Sequence, residues 1–176
     1  MLELGSSLKE FNLLDTVSGN NFSSTELDET KPSLIMFICN HCPYVIHYHD
    51  EIKRLANDFD NAINMVAISS NDIEEYPQDG PDKMRELWVQ LGLSFPYLFD
   101  STQDVAKQYK AECTPEFYLF DSSQKLVYRG RLDESSPNSG LEPTGEDLRN
   151  AIENVLNNKD VNADQFPSMG CNIKWK

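Results

Sequence analysis

Leu34-Ile35-Met36-Phe37-Ile38-Cys39-Asn40-His41-Cys42-Pro43 is the stretch on which the fold turns. The unbroken apolar run from Leu34 to Ile38 suits a strand covered on both faces, as central strands are. It ends in two cysteines with Asn40 and His41 between them. Pro43 then opens a helical pattern, and a missing N–H costs nothing in a first helical turn. Val45, Tyr48, Ile52, Leu55 and Phe59 follow at alternating steps of three and four, which predicts one amphipathic helix of about four turns over residues 43–59. Two thiols are thus set where the C-terminal end of a strand meets the start of a helix. Unpaired N–H groups and the positive end of the helix dipole stabilise a thiolate there.

Upstream, Phe11 to Asp15 and Gly19 to Phe22 read as a short hairpin, followed by a helical turn at Ser24 to Leu27. Downstream, Met65 to Ile68 is a second buried strand. Met84, Leu87, Trp88 and Leu91 mark a helix stopped by Gly92. Pro96 to Phe99 is a short strand, and Ser101 is the expected cap of a helix ending at Tyr109. Glu116 to Phe120 and Lys125 to Arg129 flank a turn and predict a second hairpin. Residues 131–143 read as loop. Thr144 and Asp147 predict a capping box for a last helix that carries Leu148, Ile152, Val155 and Leu156. Residues 160–176 have no clear period. The order predicts an α/β domain, a mixed central sheet flanked by helices with an N-terminal β-hairpin extension. A single domain over residues 1–159 is expected, with residues 160–176 a tail packed on it or extending from it.

The formal net charge is −14. A field of that sign repels phosphate backbones and anionic headgroups, which argues against nucleic-acid and membrane-surface partners. The first fifteen residues, MLELGSSLKEFNLLD, lack the basic and apolar regions of a signal peptide, so a cytoplasmic location is expected. In that compartment a disulfide is transient rather than structural. Cys39, Cys42, Cys113 and Cys171 make no disulfide framework in a chain of 176 residues.

For attack, one thiol must be exposed and acidified, and the other must lie within reach to close a disulfide. Two intervening residues on a starting helical turn meet both needs, and the helix terminus can bring a thiol from about 8.5 into the range of roughly 3.5–7.5. His41 adds positive charge when protonated. The competing readings are structural cysteines, or a soft metal held by Cys39, Cys42 and His41 with Cys113 or Cys171 completing the set. Thr114-Pro115 stands directly before the strand of the closing hairpin. Cys113 lies near the site if that loop faces it, and is otherwise a small, partly buried apolar residue. Cys171 folds back as a third exchange partner or is inert. Glu116 is a proton-transfer group beside the cysteines or an exposed carboxylate at a strand start. Arg129 and Arg131 are candidates to steady a thiolate. His47 and His49 read as solvated helix residues, and Trp88 as core.

These residues carry a family resemblance over most of the chain. Phe11-x-Leu13-x-Asp15-x-x-x-Gly19-x-x-Phe22-Ser23, the unit FICNHCPYV, the strand TPEFYLFD and the following LVYRGRLD resemble the thioredoxin-like superfamily. The resemblance is to its alkyl hydroperoxide reductase/thiol-specific antioxidant (redoxin) branch. The tail PSMGCNIKWK resembles a less-characterised subgroup sharing the CNHCP loop. The resemblance implies a thioredoxin-like fold, a nucleophilic Cys39 and a resolving Cys42. It also implies a cis bond before Pro115, and a Thr114 backbone that faces the cysteines and can pair with a substrate peptide. Asn40 and His41 complete the expected substrate-binding loop. Aligned on its Cys-Pro pair with peroxiredoxins, the chain has Cys42 at the peroxidatic position. Cys39 then replaces the usual Thr or Ser, and Ile35 the usual Pro.

The expected activity is thiol–disulfide exchange by a Cys39/Cys42 dithiol–disulfide pair. A thiol-dependent peroxidase is the alternative, and a metal-binding module a further one. The expected partners are an oxidised protein or small-molecule thiol substrate and a dithiol reductant, with no metal or organic cofactor.

Overall fold

A computed structural model describes residues 1–176. Strands β1 (Asn12–Asp15), β2 (Asn21–Ser23), β3 (Ser33–Phe37), β4 (Asn64–Ser69), β5 (Tyr97–Phe99), β7 (Glu116–Phe120) and β8 (Leu126–Gly130) form one sheet in the order β2-β1-β5-β4-β3-β7-β8. The β3/β4 and β4/β5 pairs are parallel and the others antiparallel. A separate ribbon joins β6 (Cys113–Thr114) to β9 (Cys171–Asn172). The mixed sheet is the expected one, and the N-terminal hairpin extends its edge through β5.

Every residue of β3 and β7 is buried, because helices cover both faces of these central strands. The helices are α1 (Pro43–His47), α2 (His49–Asp58), α3 (Pro81–Leu91), α4 (Asp104–Tyr109) and α5 (Glu146–Leu156). Leu34, Met36, Phe117 and Leu119 pack with Val45, Ile52, Trp88 and Ile152, from α1, α2, α3 and α5. Ile35, Phe37, Tyr118 and Phe120 point the other way, onto Val105, Ala106 and Tyr109 of α4. The cysteine pair belongs to the first face.

Local departures from expectation have identifiable causes. The helix predicted over residues 43–59 breaks at Tyr48 (φ −94°, ψ 0°), whose N–H bonds to Val45 O at 3.0 Å in a tighter turn. The buried Tyr48 ring sends its hydroxyl to Ser135 O at 2.7 Å. Ser101 does not cap α4; the buried Asp100 carboxylate takes Ala106 N–H at 2.9 Å instead. The Thr144/Asp147 capping box is absent. Asp147 pairs with Arg131 at 2.6 Å, while Asp133 accepts both Thr144 N–H and Gly145 N–H at 2.7 Å. That second contact orders the loop read at residues 131–143 and seats the start of α5. His47 and His49 are partly buried rather than solvated, with His47 Nε2 2.9 Å from Ser135 Oγ. Trp88 is core as expected, and its indole N–H reaches Phe95 O at 2.8 Å.

Candidate active site

Cys42 caps α1 in an extended conformation, and Pro43 takes the first helical position. Cys39 follows β3, where Ile38 N–H still bonds to Ile68 O at 3.0 Å. Strand end and helix start thus bring both sulfurs to one place. Cys39 is 1% and Cys42 0% exposed, so the expectation of one exposed thiol is corrected. Neither is in a disulfide.

The loop between them is held by a residue that sequence reading missed. Asp79 lies in the turn Pro77–Asp79 before α3 and is fully buried. Its Oδ1 accepts Asn40 N–H at 2.8 Å and His41 N–H at 3.2 Å. Its Oδ2 accepts from Asn71 Nδ2 at 2.9 Å and lies 2.6 Å from His41 Nδ1. The His41 ring stacks on Tyr76 at 5.3 Å. Asn40 donates to Gln78 O at 3.1 Å and accepts from Tyr97 Oη at 3.0 Å. Asn40 and His41 are therefore tied inward, and any charge on His41 is answered by Asp79. The only local signal was Pro77-Gln78-Asp79-Gly80-Pro81, a turn by composition.

The Thr114–Pro115 bond is cis, as the resemblance implied. Thr114 faces the pair with two atoms: Oγ1 lies 3.4 Å from Cys39 Sγ, and the carbonyl oxygen 3.2 Å from Cys42 Sγ. Its backbone edge, expected to receive a substrate peptide, is already paired with Cys171 of the chain's own β9.

The two thiols are driven apart in acidity. Cys42 is lowered to about 4, first by the hydrogen bond from the Cys39 thiol and then by Cys171 and the Val45 N–H, against the cost of burial. Cys39 is raised, first by keeping its proton toward Cys42, then by burial and the Asp79 charge. The Thr114 carbonyl is the opposing contact, because it accepts from a protonated Cys42. The resemblance implies Cys39 as the nucleophile and Cys42 as the resolving thiol, whereas the thiol that is lowered is Cys42.

The remaining expected site residues divide. Cys171 packs against the cluster containing Cys39 and Cys42. Cys113, on β6, is partly buried and pushed up to about 12, first by burial and then by Glu116. Glu116 itself is buried, not exposed, and accepts Glu112 N–H at 3.0 Å. It alternates with Phe117 along β7, on the face of Tyr118 and Phe120 and away from the cysteines. Arg129 is in register with Tyr118 on that far face and donates to Met1 O at 3.2 Å, so neither it nor Glu116 serves the pair. Arg131 pairs with Asp147 and covers the Phe166 ring. Cys39, His41 and Asp79 bring potential metal-ligand atoms within 4.8 Å of one another, a different set from the cysteine-based one expected. The Asp79 carboxylate is committed by three contacts to the loop and a fourth to Asn71.

The profile of the Redoxin family matches residues 3–144. No curated protein matches the chain. Among solved structures, an uncharacterized conserved protein from Geobacillus kaustophilus is 47% identical, with TM-score 0.97, over 100% of this chain and 94% of that one. A hypothetical protein from Sinorhizobium meliloti is 40% identical, with TM-score 0.96, over 100% and 96%. A secreted disulfide oxidoreductase from Mycobacterium tuberculosis shares the fold at 17% identity and TM-score 0.63, over 81% and 94%. The fold is thioredoxin-like, and the chain belongs to the redoxin family.

Proposed function

We propose that this redoxin is a thiol–disulfide oxidoreductase whose Cys39/Cys42 pair cycles between dithiol and disulfide. The observation that carries the reading is the meeting of Cys42, at the start of α1, and Cys39, just past β3, at Thr114, which touches both sulfurs. A thiolate so placed attacks one sulfur of an oxidised substrate; the substrate's second sulfur leaves with the bonding electrons and takes a proton. Cys39 then gives up its proton and attacks Cys42 Sγ in the mixed disulfide. The second substrate thiol leaves, and the Cys39–Cys42 disulfide remains for a dithiol reductant to open. An oxidised thiol substrate and a dithiol reductant are therefore the proposed partners, and the chemistry needs no metal or organic cofactor.

The same Cys42 thiolate, followed by Pro43, supports peroxide reduction as a second reading. Peroxide would oxidise Cys42 to a sulfenic acid, and Cys39 would condense with it, releasing water. The hydroxyl nearest the pair, Thr114 Oγ1, is bonded to Cys39 rather than Cys42, which favours disulfide exchange. The two are separated by measuring oxidised-glutathione reduction and peroxide consumption on the same preparation. Cys42→Ser is expected to abolish disulfide reduction, and Cys39→Ser to slow it. Wild-type disulfide reduction at background with rapid peroxide consumption would transfer the assignment to the peroxidase.

A further inference from the structure

We propose that Cys171 is a third exchanging thiol of this site, presented to Cys42 by the chain's own C-terminal strand, and that a Cys42–Cys171 disulfide forms. This rests on the reading of Cys39 and Cys42 as a redox pair. The placement is built by the backbone. Cys171 is the register partner of Thr114, whose carbonyl touches Cys42 Sγ at 3.2 Å. Gly170 lies so close to that peptide that a Cβ on it would fall 2.0 Å from Thr114 O. On the other side, Ile173 is buried, and its N–H bonds to Glu112 O at 3.0 Å. Lys174 N–H reaches Asn71 Oδ1 at 2.9 Å, and its carbonyl accepts Asp72 N–H at 2.8 Å and Gln103 Nε2 at 2.9 Å. Cys171 is therefore fixed on both flanks, while Cys42, fully buried, is screened from solvent. A thiol held beside its target by the fold reacts at an effective concentration no dissolved thiol matches.

The step is an exchange that needs no outside oxidant. The Cys171 thiolate attacks Cys42 Sγ of the Cys39–Cys42 disulfide. A bond forms between Cys171 and Cys42, the Cys39–Cys42 bond breaks, and its electron pair leaves on Cys39, which takes a proton. The number of disulfides is unchanged. The reduced site restrains this thiol: Cys171 is held up to about 11 by burial first, then by its hydrogen bond to Cys42 and the Cys42 charge, with Lys174 pulling the other way. Once Cys42 is bonded to Cys39, that charge is gone and Lys174 remains. Oxidation of the pair thus removes the Cys42 part of that restraint, while burial remains.

Equilibration in reduced and oxidised glutathione, followed by acid quench, alkylation, trypsin and mass spectrometry, tests this. Cys171 lies between Lys159 and Lys174, in a different tryptic peptide from Cys39 and Cys42 and from Cys113. Wild type is expected to give the Cys39–Cys42 disulfide and a fraction of Cys42–Cys171 crosslink. In Cys39→Ser, most Cys42 is expected on Cys171, and in Cys39→Ser/Cys171→Ser on glutathione. Cys42 held by glutathione in Cys39→Ser, with Cys171 alkylated as a free thiol, overturns the inference; so does a wild-type crosslink to Cys113 in place of Cys171. Should Cys39→Ser fail to fold, the wild-type crosslink decides alone. A wild type that forms no Cys39–Cys42 disulfide overturns the redox pair itself, whereas that disulfide without any Cys42–Cys171 bond overturns only the role of Cys171.

Discussion

Asp79 shows how a residue without a motif comes to govern one with a motif. Its two oxygens hold the cysteine loop, and its charge adds to the forces keeping Cys39 protonated. Asp79→Asn replaces one acceptor by an NH2 group and removes that charge. The expected cost is about 1–3 kcal/mol, the range for stranding buried polar groups, read in a urea titration. Cys39 is expected to alkylate faster at alkaline pH; unchanged stability with unchanged alkylation would count against the anchor role. Cys42 yields a second prediction. Its folded pKa lies below that of the unfolded thiol, so the folded chain releases the proton first. The stability this supplies is full above the ordinary thiol range near about 8.5 and is lost as pH falls toward the folded value. Cys39 is raised, so below that range it is protonated in both states and adds no slope. The reduced wild type is therefore expected to gain stability over Cys42→Ala steadily from about pH 5 to about pH 8. A flat difference, measured by denaturant titration at each pH, would mean that Cys42 is an ordinary thiol.

At the level of elements, the sequence was legible where a pattern is local. The apolar run of β3 and the glycine stop after α3 each lie within one element, and the three-four period through Phe59 marks one buried face that continues across the break between α1 and α2. The break at Tyr48 was not legible, because the acceptor of its hydroxyl is Ser135, 87 residues away. Asp79 was hidden for the same reason, acting from 38 residues beyond His41. Glu116 and Arg129 were misread because a strand pattern gives alternation but not which face meets the cysteines. β9 escaped altogether: it pairs over Cys171 and Asn172 alone, too short for alternation to register. Its seat depends on the small residue before it. Gly170→Ala is expected to lift β9 off the Thr114 peptide, since the added Cβ meets a backbone carbonyl that cannot swing aside. Hydrogen exchange should then accelerate at Ile173 N–H and along residues 112–114 and 170–176, with Cys171 alkylating faster. Exchange raised evenly across the protein, or nowhere, would contradict a locally seated strand.

On the scale of the molecule, the cysteine-bearing face depends on α5 being clamped to α2. Glu51, buried on α2, accepts from Arg149 Nε of α5 at 2.5 Å and from Arg54 Nε at 2.6 Å. Arg149 continues to Asp58 at 2.8 Å. Gly145 completes the joint: a Cβ there would sit 2.5 Å from Glu51 Oε1. A net charge of −14 makes the compact state repel itself, so a carboxylate that is buried and doubly paired is one the fold has had to satisfy. Glu51→Ala leaves Arg149 four-fifths covered with only Asp58 to answer it. The expected loss is about 2–4 kcal/mol, at or below the fully buried case because Arg54 is half exposed and rehydrates. Raising the salt concentration should change that loss little, since Glu51 is out of reach of the ionic atmosphere. Lys83–Glu86 supplies the control: both side chains are more than half exposed, and Glu86→Ala is expected to leave the denaturation midpoint unmoved. If Glu51→Ala behaves like Glu86→Ala, the α2–α5 clamp is not what holds the face beneath Cys39 and Cys42 together.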